Sequence, residues 1–214
     1  MKVLVLAKAP VAGLVKTRLG ADVGLGRAAD LAAAALLDTI AASSAATEHC
    51  HLALDGDLAD AVRSDELRAA LTGWTITPQR GDGFAERLVN AHHDAGPGVV
   101  VQIGMDTPHA TADDLRDAAE ALGDDDAVLG PALDGGWWVL VRRTPEAAAP
   151  LAGVEMSTPT TYDDTLAALR ASGLRVGTTA ALQDVDTVAD ADAVADLAPD
   201  TRFARAWVSA GVTS

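Results

Sequence analysis

Val99-Val100-Val101-Gln102-Ile103-Gly104-Met105-Asp106-Thr107-Pro108 reads as a strand that runs out into a loop carrying an acid. A continuous β-branched run marks a strand covered on both faces. It stops at Gly104, a carboxylate follows at once, and Pro108 closes off any continuation. An aspartate at the carboxyl end of a central strand lies where open α/β sheets bind their ligands. Asp106 is accordingly read as holding a divalent metal against a nucleotide diphosphate. On this segment alone a turn aspartate bonding its own backbone is the favoured reading.

Working outward, Val3 to Ala7 is a first buried strand, and the loop Lys8 to Arg18 follows it. All the lysines (Lys2, Lys8, Lys16) lie in this N-terminal stretch, in a chain that otherwise uses arginine. Flexible ammonium groups suit phosphate oxygens, and Arg18 adds a planar fork for bidentate contact. Ordinary solubilising charge is the alternative. Gly13 and Pro10 shape the loop backbone. No Gly-Lys-Ser/Thr run is present, and Gly20, Gly24 and Gly26 do not form a dinucleotide fingerprint.

A third strand end, Ala127 to Pro131, leads into Asp134-Gly135-Gly136 and then Trp137-Trp138. The glycines permit positive φ or close approach to a ligand, and a hairpin turn reads the same way. Successive strand residues point oppositely, so one tryptophan packs in the core while the other walls a pocket. Late in the chain, Asp186 could cap the helix that follows or serve as a second metal carboxylate.

Between these stretches, helical periodicity predicts helices over Leu25–Ser43, Leu58–Leu71, Ala85–Asp94, Thr111–Leu122 and Arg202–Val208, the last burying Trp207. Another opens with Thr158 as cap and Pro159 at its first position and runs to about Ser172. Asp113 and Asp114 suit a first helical turn. Short strands are expected over His49–Leu54, Trp74–Thr77 and Leu174–Thr178. Within His49-Cys50-His51 the histidines alternate with the cysteine, which favours packing over metal binding. His92 and His93 face different directions on their helix and are read as surface residues.

The chain has 214 residues, of which 49% are hydrophobic and 22% charged, which suits one folded domain over residues 1–214. A formal net charge of −15 argues against nucleic-acid backbones and anionic membranes as partners. Cys50 is the sole cysteine, so neither an internal disulfide nor a cysteine zinc cluster is available. The N-terminal apolar run is too short for a signal peptide, and no continuous apolar stretch reaches the roughly 18 residues of a membrane span. A soluble, cytoplasmic protein is expected.

Six segments occur in order: AKAPVAGLVKTRL, GDGFAERL, IGMDTP, LGPALDGGWWVL, MSTPT and DVDTVAD. Together they resemble the small GT-A-like glycosyltransferases associated with radical-enzyme and arsenosugar genes. This family lies within the nucleotide-diphospho-sugar transferase superfamily, which also includes phospholactate guanylyltransferases. The resemblance implies a single-domain, three-layer α/β/α sandwich with a mostly parallel sheet. It implies a transferase using a nucleotide-activated donor: a glycosyltransferase with a nucleotide-diphospho-sugar or, alternatively, a guanylyl- or cytidylyltransferase-like enzyme using a nucleoside triphosphate and a phosphorylated acceptor.

The same resemblance implies roles for particular residues. Lys8, Gly13, Lys16, Thr17 and Arg18 would receive the nucleotide phosphates, with Asp82 and Arg87, and also Gln79, nearby. Asp106 and Asp186 would hold Mg²⁺ or Mn²⁺. Gly135, Gly136 and Trp137 would border the sugar or acceptor pocket. Asp106, Lys16 and Asp134 are the candidate catalytic residues; the resemblance places Asp134 only at the pocket border, and its role as base, with His109 as the other candidate, is read from the chemistry of the transfer. Met105 and Thr107 depart from the more usual serines, Trp137 and Trp138 from tyrosines, and Arg142 and Arg143 from apolar residues.

Overall fold

The computed structural model describes residues 1–209. Its strands are Lys2–Lys8 (β1), Cys50–Asp55 (β2), Thr75–Pro78 (β3), Val100–Ile103 (β4), Ala127–Pro131 (β5), Trp137–Arg142 (β6) and Val176–Thr178 (β7). They form one sheet in the order β3-β2-β1-β4-β6-β5-β7. All neighbours run parallel except at β6, which is antiparallel to both β4 and β5. The chain leaves β1 toward β2 on one side and returns to β4 on the other. Loops diverge at that reversal and leave a crevice above the carboxyl ends of β1 and β4.

Helices are Thr17–Val23 (α1), Leu25–Ala46 (α2), Ser64–Ala70 (α3), Phe84–Asp94 (α4), Ala112–Glu120 (α5), Thr161–Ala171 (α6), Val188–Leu197 (α7) and Arg202–Ser209 (α8). Alternating strand residues feed two apolar layers. Val3, Val5, Val101, Ile103 and Val139 pack with α2, α3 and α5. Leu4, Leu6, Val100 and Leu140 pack on the opposite face with α4, α6 and the 3₁₀ segment Pro145–Gly153. The molecule is thus a single-domain α/β/α sandwich. A third apolar cluster joins α1 and α2 to α7 and α8, where Trp207 is buried.

The alanine-rich α2 runs through this interior. It is the one described helix long and apolar enough to cross a membrane, yet 72% of that stretch is buried inside the protein. The Asp38 carboxylate on α2 accepts from the Arg202 and Phe203 amides at 3.0 and 2.8 Å, which satisfies donors at the start of α8.

Three expectations need correction. Leu58–Leu71 is not one helix but a 3₁₀ turn at Leu58–Asp60 followed by α3. Arg63 interrupts it at φ 57°, where its guanidinium grips Asp30 with two bonds of 2.6 and 2.7 Å. The helix expected from Thr158 starts at Thr161, because Ser157 takes φ 64° and the Pro159 backbone presses against Gly135. His92 is not on the surface: it is fully buried under α4, while His93 is exposed.

Candidate functional site

Lys16 is the centre of the crevice. Its backbone takes the left-handed conformation, φ 47° and ψ 44°, just before α1. That geometry costs a non-glycine residue about 1–2 kcal/mol, so the loop must gain from where it sends the side chain. The ammonium lies 2.7 Å from Asp106 Oδ1 and 3.0 Å from Asp186 Oδ1, and also donates to the Val185 carbonyl. Arg18 Nη1 reaches Asp186 Oδ2 at 3.6 Å. Burial works to lower the Lys16 pKa, but the Asp106 and Asp186 carboxylates outweigh it and hold the ammonium above its ordinary value.

The two acids meet because their segments are tied through the backbone. The Val185 amide donates to the Asp106 carbonyl at 2.9 Å. The cap of α7 belongs to a neighbour: Thr187 and Asp190 form a reciprocal capping box. Asp190 also accepts from the Asp186 amide at 3.2 Å. Asp186 is thereby released from capping, and its carboxylate turns toward Lys16.

Two cavities join at this cluster. The first, about 630 Å³, is lined by Lys8, Lys16, Thr17 and Arg18 on one side and Asp82, Phe84 and Arg87 on the other. The second, about 420 Å³, is lined by Asp134, Gly136, Trp137, Trp138, Thr158 and Asp184. Arg18, Phe84, Gln102, Gly104, Asp106, Ser157 and Asp186 border both. In the second, Arg18 stands against four aspartates, Asp106, Asp134, Asp184 and Asp186. Burial, then the neighbouring Asp134 and Asp186 charges, pushes the Asp184 carboxyl up to about 6.

Other expected residues fall differently. Gly13 takes φ 84° to turn the loop but borders neither cavity. Gly135 makes its close approach to the protein and not to a ligand position: an added Cβ would lie 2.1 Å from the Pro159 carbonyl oxygen. Arg87 is held by Asp55 at 2.6 Å and by the Gly81 carbonyl. Gln79 binds the Ala7 and Ala53 carbonyls at 3.0 Å each, clamping the ends of β1 and β2. Asp134 Oδ1 accepts from the Gly136 amide at 2.7 Å, as a turn aspartate does. His109 borders neither cavity.

Four residues at the site were not singled out from sequence: Gln102, Phe84, Ser157 and Asp184. Gln102 had a signal, a polar residue inside the apolar run that defines β4. Asp184 lies two residues before Asp186 in the same acidic run. The positive φ of Ser157 and the exposed ring of Phe84 leave no mark in a single sequence.

Asp106 and Asp186 fit a hard divalent ion by their chemistry, since oxygen ligands suit Mg²⁺ and Mn²⁺ and the two already share one cationic group. Among the described residues no group of three or more His, Cys, Asp or Glu side chains could hold a metal. Further ligands would have to come from substrate phosphates and water, as is usual for Mg²⁺.

Residues 36–158 match the family described as "Uncharacterized protein conserved in bacteria (DUF2064)", and the chain belongs to that family. No curated protein matches it. Among solved structures, it is similar to a Desulfovibrio desulfuricans G20 protein named provisionally as a nucleotide-diphospho-sugar transferase. The identity is 27%, the TM-score 0.80, and 97% of this chain and 94% of that one are covered. A nucleotidyl transferase of Methanothermobacter thermautotrophicus matches with 17% identity and TM-score 0.59 over 95% of this chain and 98% of that one. Rv0371c of Mycobacterium tuberculosis H37Rv, solved with manganese, matches with 20% identity and TM-score 0.52 over 91% and 98%. The fold is that of the nucleotide-diphospho-sugar transferases.

Proposed function

We propose that this chain is a metal-dependent glycosyltransferase, of the arsenosugar- and radical-enzyme-associated type, acting in the cytoplasm. It takes a nucleotide-diphospho-sugar in the first cavity and passes the sugar to a small acceptor in the second. The observation that carries the reading is the junction: two cavities meeting across the Asp106–Lys16–Asp186 cluster, with four aspartates around the second. Carboxylates accept hydrogen bonds from sugar hydroxyls, and an indole such as Trp137 packs against the apolar face of a sugar ring. The same acids would repel a phosphorylated acceptor.

Lys8, Lys16, Thr17 and Arg18 receive the donor phosphates. Asp106 and Asp186 would hold Mg²⁺ or Mn²⁺, which supplies a cationic anchor for the diphosphate oxygens; the manganese in the neighbour Rv0371c supports that choice. As the diphosphate departs, Lys16 and Arg18 neutralise the charge growing on it. Asp134, with one oxygen fixed by Gly136, takes the proton from the acceptor hydroxyl. Asp82 and Arg87 shape the rim of the donor cavity.

Nucleotidyl transfer is the second reading, supported by the Methanothermobacter nucleotidyl transferase at low identity. The leaving group separates the two. Purified protein with Mn²⁺, a panel of nucleotide-sugars and a panel of small hydroxyl-bearing acceptors should release nucleoside diphosphate as the sugar passes to an acceptor or, without one, to water. Release of pyrophosphate from a nucleoside triphosphate, with no turnover of any nucleotide-sugar, would select nucleotidyl transfer instead.

A further inference from the structure

Gln102 pairs with Leu4 on β1 and Leu140 on β6, in the layer beneath α4. Two positions further along β6, on the same face, stands Arg142, opposite Val100. Arg142 is fully buried. Its guanidinium donates to the carbonyls of His92 (2.6 Å) and Gly98 (2.9 Å) and, through Nε, to His92 Nδ1 at 3.3 Å. A cation placed in the interior without a hydrogen-bonded carboxylate is costly, so a fixed arrangement here calls for a purpose.

The arrangement dictates a proton position. A guanidinium only donates, so His92 Nδ1 must accept, and a neutral imidazole then carries its hydrogen on Nε2. Burial, then the Arg142 charge, keeps His92 neutral by pushing its pKa down to about 3. His92 Nε2 and Gln102 Oε1 are both buried and neither has a hydrogen-bond partner, although the Gln102 side chain is near enough to act on the imidazole. An unpartnered donor and an unpartnered acceptor thus belong to neighbouring buried side chains. Pairing the two would commit the buried Gln102 oxygen inward and leave its NH₂ for the cavities, both of which Gln102 borders.

We propose that Arg142 and His92 are positioning residues that lock the Gln102 amide, and that its NH₂ donates to an oxygen of the group being transferred. The donor role rests on the glycosyl-transfer reading; the lock does not. A glutamine alone could turn its amide over and offer either end. The lock leaves only the donor at the point that a group must cross between the cavities.

Two measurements test this. In the wild-type protein, ¹⁵N NMR should find His92 neutral, with its proton on Nε2, from pH 8 down to pH 5. A proton on Nδ1, or titration near pH 6.5, would overturn the lock. Calorimetry with Mg²⁺ should then compare UDP-glucose and GDP-mannose with UDP and GDP. Gln102→Met should bind the preferred nucleotide-sugar about tenfold more weakly and leave the matching diphosphate within about twofold. Equal loss on both, or no loss, would overturn the donor role. Should that variant fail to fold, the wild-type Gln102 side-chain amide signals decide: they should move with the nucleotide-sugar and stay with the diphosphate. If the wild-type protein binds diphosphates but no nucleotide-sugar, the donor role falls with the glycosyl reading, and the tautomer alone decides the lock.

Discussion

At the scale of single residues, the site works by pairing unlike environments. Arg18 is exposed and touches Asp186 only loosely, whereas Lys16 is buried between two acids. Arg18→Ala should therefore weaken nucleotide binding chiefly at low salt. The difference from wild type should shrink as ionic strength passes about 0.15 M, where the Debye length falls to about 8 Å; binding curves at 20 and 300 mM salt check this. Asp184 carries the opposite stress, with its carboxyl pushed up to about 6 by burial and by Asp134 and Asp186. A raised acid favours folding while protonated and loses that contribution as pH climbs through the raised value. In metal-free protein, Asp184→Asn should thus raise Tm relative to wild type at pH 7.5 and give no gain near pH 4.

At the scale of elements, one glycine and one carboxylate hold loops and helices in place. Gly135 sits at φ 93° with the Pro159 carbonyl where a Cβ would go, and its own carbonyl accepts from the Tyr162 amide at 2.8 Å. Gly135→Ala should destabilise the fold by about 1–3 kcal/mol and disturb the wall of the second cavity; denaturant melts and acceptor KM would show both. Asp38 does for α8 what a capping residue does, from another helix. Asp38→Ala should cost about 1–3 kcal/mol by leaving buried donors unsatisfied, with hydrogen exchange in α8 rising before that in the sheet. Neither role is legible locally. Gly135 reads as a turn residue, and Asp38 as one acid in an alanine-rich helix, because their partners lie 24 and 164 residues away.

At the scale of the molecule, β-branched runs and helical periodicity reveal the layers and the parallel sheet, since both record which faces avoid water. Asp106 is legible for the same reason: a carboxylate directly after a buried strand has little choice of location. Asp186 becomes decisive only in three dimensions, once Thr187 and Asp190 take over the cap and the Val185 amide ties its loop to Asp106. His92 misleads from sequence, because the neighbour that makes its burial tolerable, Arg142, comes 50 residues later on another strand.

On the proposed function, Asp106 and Asp186 jointly hold a cation against the donor diphosphate. Electron paramagnetic resonance of Mn²⁺ titrated with protein and UDP or GDP tests it directly. The wild-type protein should bind one Mn²⁺ per chain in the presence of nucleotide, and Asp106→Asn and Asp186→Asn, each still folded, should weaken that binding by about tenfold or more. Nucleotide-dependent Mn²⁺ binding of wild-type strength in both variants would contradict it.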